Sequence, residues 1–293
     1  MHRRVCPAHA GKAKERNSLI INYSQLSVNS VIMNYVPLKG GTIIMKKFTK
    51  VLLSSVLVLA AGCGSKKEEA PAAGADSAKS EGVMTYAEYA AAELNSEVTI
   101  EAYVQGKQSW WNDTATVYTQ DADGAYFLYG MACSEADYEK LVPGQKIKVT
   151  GYKSEWSGEI EITDATFELE EGNWVATPTD VTDLLGKDEL IDHQNQLVSF
   201  KDMTVEAKKD DNGNDVAFMY NWDGSGSQGD DLYFDVSKDG KTYTFTVEAY
   251  LCDSSTDVYK AVEGLAVGDK VDLEGFLYWY EGVNPHITKV TKK

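Results

Sequence analysis

The alternation of apolar and polar positions divides most of this chain into two runs of strand-like segments. In the first run, residues 98–105 and 114–120 alternate with a period of two. Asp121-Ala122-Asp123-Gly124 then reads as a hairpin turn into a third strand over 125–130. Ser134, followed by Glu135-Ala136-Asp137, is placed to cap a short helix that runs to about Leu141. Pro143-Gly144 turns the chain into strands over 146–153 and 159–169. The second run predicts strands over 196–206, 216–220, 232–236, 242–249, 270–278 and 286–290. It carries about two dozen extra residues ahead of its fourth strand, including DDNGND and NWDGSGSQGDD. Helical character precedes each run, over 86–94 and 181–193.

The two runs are copies of one pattern. LVPGQKIKVTGYKSEWSGEIEIT (141–163) matches LAVGDKVDLEGFLYWYEGVNPHIT (265–288), with Gly144, Gly151 and Gly158 meeting Gly268, Gly275 and Gly282. SEVTIEAYVQ matches NQLVSFKDMTVEA more loosely upstream. Identities falling mainly on glycines and alternating apolar positions imply shared architecture, not shared surface chemistry. Three strands, a helix and two strands is the order of the OB-fold, a small Greek-key barrel. VYTQDADGAYFLY and L-x-P-G-Q-K-I-K-V-T-G resemble bacterial OB-fold domains of the nucleic-acid-binding-like group found in exported proteins. The resemblance covers 98–169 closely and 197–290 less so. The expected fold class is all-β: two tandem five-stranded OB-fold Greek-key barrels, each with a short helix between strands three and four, after a disordered N-terminal segment.

Residues 51–65 are uncharged and 51–61 apolar, too short a run for a spanning helix, which needs about twenty apolar residues. Lys46, Lys47 and Lys50 precede the run and Ala60-Ala61-Gly62 close it, the layout of a secretory signal. Cys63 and the polar GSKKEEAPAAGADSAKSEG come next. This resembles the lipobox of bacterial lipoproteins, departing from it in having Ala60 where the family prefers Leu. The resemblance implies that Cys63 is diacylated and holds the protein to a lipid bilayer, on the exported face of a cell membrane. Met45 reads as the true start, because Lys39-Gly40-Gly41 can be encoded by an AAGGAGG-like ribosome-binding sequence at a sensible spacing. The expected organisation is a leader over 1–44, a signal peptide over 45–62 and a flexible tether over 63–84. The first barrel follows over 85–172, a connector over 173–194 and the second barrel over 195–293.

Charge narrows the partners. The formal net charge of −17 hides a basic N-terminal stretch; residues 63–293 hold nineteen lysines, no arginine and 44 acids, a net of −25. Such a surface repels polyanions and lacks guanidinium forks for phosphates or guanine. Single-stranded nucleic acid, the partner that the fold resemblance implies, is therefore disfavoured by charge. A saccharide or a partner protein fits better.

No catalytic constellation stands out. After Cys63 only His193 and His286 remain, and both read as linker or strand residues, exposed or half-buried. Nucleophile elbow, Walker A loop and dinucleotide fingerprint are all missing, so a hydrolase ranks third and no cofactor is expected. The acidic stretches 210–215 and 223–231 offer hard oxygen ligands but miss the calcium-loop register, and read as hairpin tips, not a metal site. Cys133 and Cys252 could bridge the barrels in an exported protein, though two buried thiols is the simpler reading. The usable chemistry is aromatic. OB barrels bind ligands along strands two and three and the adjoining loops. That places Trp110, Trp111, Tyr118, Tyr126 and Tyr129 near the face of the first copy, and Tyr220, Trp222, Tyr233 and Trp279 near that of the second.

Overall fold

The computed structural model describes residues 79–210 and 212–293. The expectations about the leader, the signal, Cys63 and the tether up to residue 78 lie outside the described residues. From Lys79 the chain is already docked on the first barrel. The Lys79 ammonium donates to the Asp121 carboxylate at 2.6 Å and to the Glu101 carbonyl at 2.8 Å, and Met84 lies against the apolar core. The tether expected over 63–84 is therefore too long at its C-terminal end. A buried ion pair and one apolar side chain hold residues 79–84 on the barrel.

Thr85 opens α1 (Tyr86–Ala91) with a capping box to Glu88. Helix α1 lays Tyr89 edge-on to Tyr126 at 4.9 Å between ring centroids. There follow β1 (Glu97–Lys107), β2 (Thr114–Gln120), β3 (Ala125–Ala132), α2 (Glu135–Tyr138), β4 (Gln145–Trp156) and β5 (Glu159–Asn173). They close into a barrel in the order β1-β2-β3-β5-β4, the OB-fold circuit. Every second residue points inward, so Val98, Ile100, Val117, Leu128, Ile147 and Val149 fill the interior. The Asp121 carboxylate accepts the Asp123 and Gly124 N–H groups and so shapes the β2–β3 hairpin, while the Ser134 side chain caps α2 by accepting from Asp137.

The connector buries Val181, Leu185 and Leu190 in the second core through β6 (Thr179–Asp180) and two 3-10 turns, Thr182–Leu184 and Asp188–His193. Beyond it lie β7 (Leu197–Glu206), a small hairpin of β8 (Lys208–Lys209) and β9 (Asp215–Val216), then β10 (Met219–Tyr220) and β11 (Leu232–Lys238). The second barrel is completed by β12 (Lys241–Val247), α3 (Asp257–Glu263), β13 (Lys270–Phe276) and β14 (His286–Lys292). It closes as β7-β11-β12-β14-β13, with β11 returning to β7. The extra residues sit between strands one and two, so the segment 216–220 is not a barrel strand of its own. Strand β7 leaves β11 at Glu206, and β10 takes over beside Leu232 and Tyr233.

The matched glycines of the repeat have matched work. Gly144 (φ +94°) and Gly268 (φ +90°) follow the helix, and each donates its N–H to the last core valine of strand one, Val104 or Val205, at 2.8 Å. Gly151 and Gly275 lie where strand four passes close to strand five. A Cβ on Gly275 would stand 2.2 Å from the His286 carbonyl oxygen.

Both barrels belong to one compact unit. The Tyr118 ring of β2 stacks on Phe276 at 4.2 Å and 5°, and Phe127 of β3 meets Tyr278 edge-on at 5.4 Å. Gly106 leaves room for the Phe276 ring, which would lie 2.9 Å from a Cβ there. Gln120 accepts the Leu197 N–H, and Gln194 donates to the Gly158 carbonyl, each at 2.9 Å.

Candidate ligand-binding surface

In the first barrel, the face of strands two and three is occupied by the second barrel. Tyr118 is fully buried there, which removes it as a ligand contact. Tyr126 is equally buried but on the inner side, where its hydroxyl donates to Asp121 at 2.9 Å; it fills the core and meets no ligand. Tyr129 sits half-buried at the edge of the aromatic cluster. The run AYFLY (125–129) carries the signal that could have shown this. It lacks the alternation of a half-exposed strand, because Tyr126 and Leu128 face the core while Phe127 and Tyr129 face the other barrel.

A polar network lies inside the same interface. His286, expected exposed or half-buried, is buried, and its Nδ1 lies 2.8 Å from the Tyr118 hydroxyl and 3.7 Å from Glu248 Oε2. The Tyr278 ring stacks on the imidazole at 4.4 Å. Gln108 donates to Glu248 at 2.7 Å. Glu159 Oε2 accepts from the Gln194 amide at 3.1 Å and from the Trp279 backbone N–H at 2.9 Å. Burial raises the Glu159 and Glu248 carboxyls well above the usual range, with Glu161 adding to the first and Asp231 to the second. These groups are buried beside the aromatic cluster where the two barrels meet. None of Phe127, Phe276, Glu159 or Glu248 was singled out by sequence.

The strand one–two loops are different. In the first barrel, Trp110 turns inward and donates its indole N–H to the Cys133 carbonyl at 2.9 Å. Trp111 stands on a two-residue turn through Asn112 and Asp113, both at positive φ, and is 51% exposed. In the second barrel the corresponding loop is the long insertion. Its frame is held by Asn221 N–H to the Asp231 carbonyl, Gly229 N–H to the Tyr259 hydroxyl, and the Tyr220 hydroxyl to Glu263, all at 2.8 Å. Partial burial and that bond push the Tyr220 phenol up to about 12. Trp222, at the tip, is 67% exposed. Tyr233 is half-buried on β11, and Trp279 is half-buried against Gly158 at the barrel interface.

The two loops meet the same stretch of chain after β12. Ser109 donates its N–H to the Tyr250 carbonyl at 2.7 Å, while Ala249 donates to Asp231 Oδ1 at 2.8 Å. The acidic tips nearby satisfy their own turns: Asp210 accepts from Asn212 and Asn214, and Asp223 from Ser225. Among the described residues no group of three or more His, Cys, Asp or Glu is placed to hold a metal ion. Cys133 and Cys252 are separate buried thiols, pushed up to about 11 and about 12 by burial.

No family model matches the chain, and no curated protein matches it. Solved structures align at low similarity. A murine DNA-binding protein bound with double-stranded DNA is 13% identical over 67% of this chain and 96% of its own, at a TM-score of 0.32. The p202 HIN1 structure in complex with a 12-mer double-stranded DNA is 14% identical over 69% of this chain and 96% of its own, at 0.32. The p204 HINb domain is 10% identical over 69% of this chain and all of its own, at 0.31. Superposition this loose says nothing of what the present chain binds.

Proposed function

We propose that the two barrels form a non-catalytic binding module, exported and held at the cell envelope by an acylated Cys63, that takes a neutral oligomeric ligand such as a saccharide. One observation carries the reading. The two most exposed tryptophans, Trp111 and Trp222, stand on the same loop of each copy, a loop that OB barrels use for ligands. An indole offers a flat apolar face, and the acids around it accept hydroxyl hydrogen bonds but repel anions. Binding to an oligosaccharide array should fall roughly three- to tenfold in Trp111→Ala and in Trp222→Ala. Retention by either variant of wild-type binding sinks the assignment. The anchoring is tested separately: Cys63→Ser should move the protein from the membrane fraction to the soluble one.

Single-stranded nucleic acid is the second reading, favoured by the OB architecture and by the ability of exposed rings to stack on bases. Oligothymidine retention that weakens steeply between 50 and 200 mM salt, about tenfold or more, supports it; no retention at low salt removes it.

A further inference from the structure

The two barrels differ where their shared plan makes them weakest. Strands three and five share few ladder pairs in both barrels, Phe127–Glu161 and Leu128–Ile162 in the first and Thr246–His286 in the second. Past those pairs no ladder joins them, and closing the wall falls to the helix between strands three and four. In the second barrel α3 does this work: Val258, Tyr259 and Val262 are buried in the core and the helix packs against β14. In the first, α2 is a single turn with no fully buried residue. It leaves a hollow of about 270 Å³ lined by Cys133, Ser134 and Asp137 on one side and Thr166, Phe167 and Leu169 on the other.

The strand bordering this hollow has an open edge. From Thr163 onward, β5 has β4 as its one ladder partner among the described residues. Leu169 is 40% exposed and Phe167 half-buried, although both lie on the inward side of the strand. An unpaired strand edge is a template for another strand. The hollow is smaller than the ~300–1,000 Å³ of typical small-molecule sites, and suits one or two side chains.

We propose that this seam receives an extended peptide segment of a partner protein, added as a sixth strand along β5, with an apolar side chain in the hollow and basic side chains along the rim. Charge selects the peptide. Glu135 and Asp137 border the seam on the helix side and Asp164 and Glu168 on the strand side. Lys140, bound to Asp137 at 2.7 Å, Lys148, opposite Glu168 in the ladder, and Lys107, donating to the Tyr138 carbonyl at 2.6 Å, offset them in part. Main-chain hydrogen bonds supply affinity in this mode and alternate side chains supply selectivity. The site is separate from the exposed tryptophans and does not depend on what they bind.

The test is to pan a displayed random decapeptide library against the full chain and synthesise the enriched sequences. They should alternate β-branched and basic residues, and should slow amide hydrogen exchange over 166–169. Leu169→Lys and Thr166→Arg change exposed side chains and leave the fold intact; each should weaken binding at least tenfold, while Trp111→Ala leaves it within twofold. No enrichment, or enriched peptides indifferent to both rim substitutions, overturns the proposal. So does a wild-type dimer in sedimentation that Leu169→Lys dissociates, because the occupant is then a second copy of this chain.

Discussion

Glu159 shows how one side chain can set the pH response of a whole interface. It is fully buried, its Oε1 has no hydrogen-bond partner, and the Oδ1 of the adjoining Asn195 has none either. Burial raises the Glu159 carboxyl in the direction that keeps a proton on it, outweighing the hydrogen bonds from Asn195, Trp279 and Gln194 that favour the charged form. The folded chain then binds more protons than the unfolded one from the ordinary carboxylate range upward. Stability accordingly falls as pH rises from about 4.3 toward the raised folded value. Glu159→Gln places an amide donor where the proton would sit. It should raise stability by about 1–2 kcal/mol at pH 8, roughly 2–8 °C in Tm, and change little at pH 4. A variant destabilised equally at both pH values would show that the carboxylate itself is needed. In the sequence, EIEIT marks a strand with Glu159 and Glu161 on one of its faces. They face outward from their own barrel, but what lies outside is the other barrel, which strand periodicity cannot report.

Among elements, strand four is the least tolerant. Gly275→Ala would drive a methyl into the His286 carbonyl, and Gly151→Ala would press on Thr163 and Ala165 from 2.8 Å. Because the obstacles include backbone, Gly275→Ala should cost about 3 kcal/mol or more, read by urea unfolding. Gly213→Ala, at a φ of +80° with nothing within 4 Å, should cost only about 1 kcal/mol. Equal losses at the two sites would refute the crossing geometry as the reason for the repeat's glycines. The same contrast explains which elements were legible. Hairpin, cap and turn signals are local, so Asp121, Ser134 and Gly144 stand where the sequence places them. The segment 216–220, VAFMY, is an apolar run that reads as a strand, while its partner, and hence its place as a patch beside β11, is decided by distant residues.

At the scale of the molecule, the duplication has divided the labour. The first barrel gives its strand two–three face to the second, and the exposed tryptophans remain at loops. Two barrels joined by stacked rings and buried acids should melt as one cooperative transition in calorimetry. Phe276→Ala removes the ring on Tyr118 at the usual cost for a buried aromatic, about 3–5 kcal/mol, and should split the transition in two. A wild-type protein with two separate transitions would contradict this coupling. The tandem architecture was readable from the repeat; the docking was not, since a Tyr on an outward strand position serves a ligand and a neighbouring barrel equally well.

The point at which the chain joins the first barrel has a mechanical consequence. Strand β2 runs from the Trp111 turn to the Asp121 turn, and Lys79 is clamped at the second. Seven strand residues separate the two rims by roughly 20 Å. The first barrel thus has the Lys79 clamp at one pole and, at the other, both Trp111 and the edge of β5 beside α2. A pull on the chain at Lys79 would load a buried ion pair at the opposite end of β2 from Trp111.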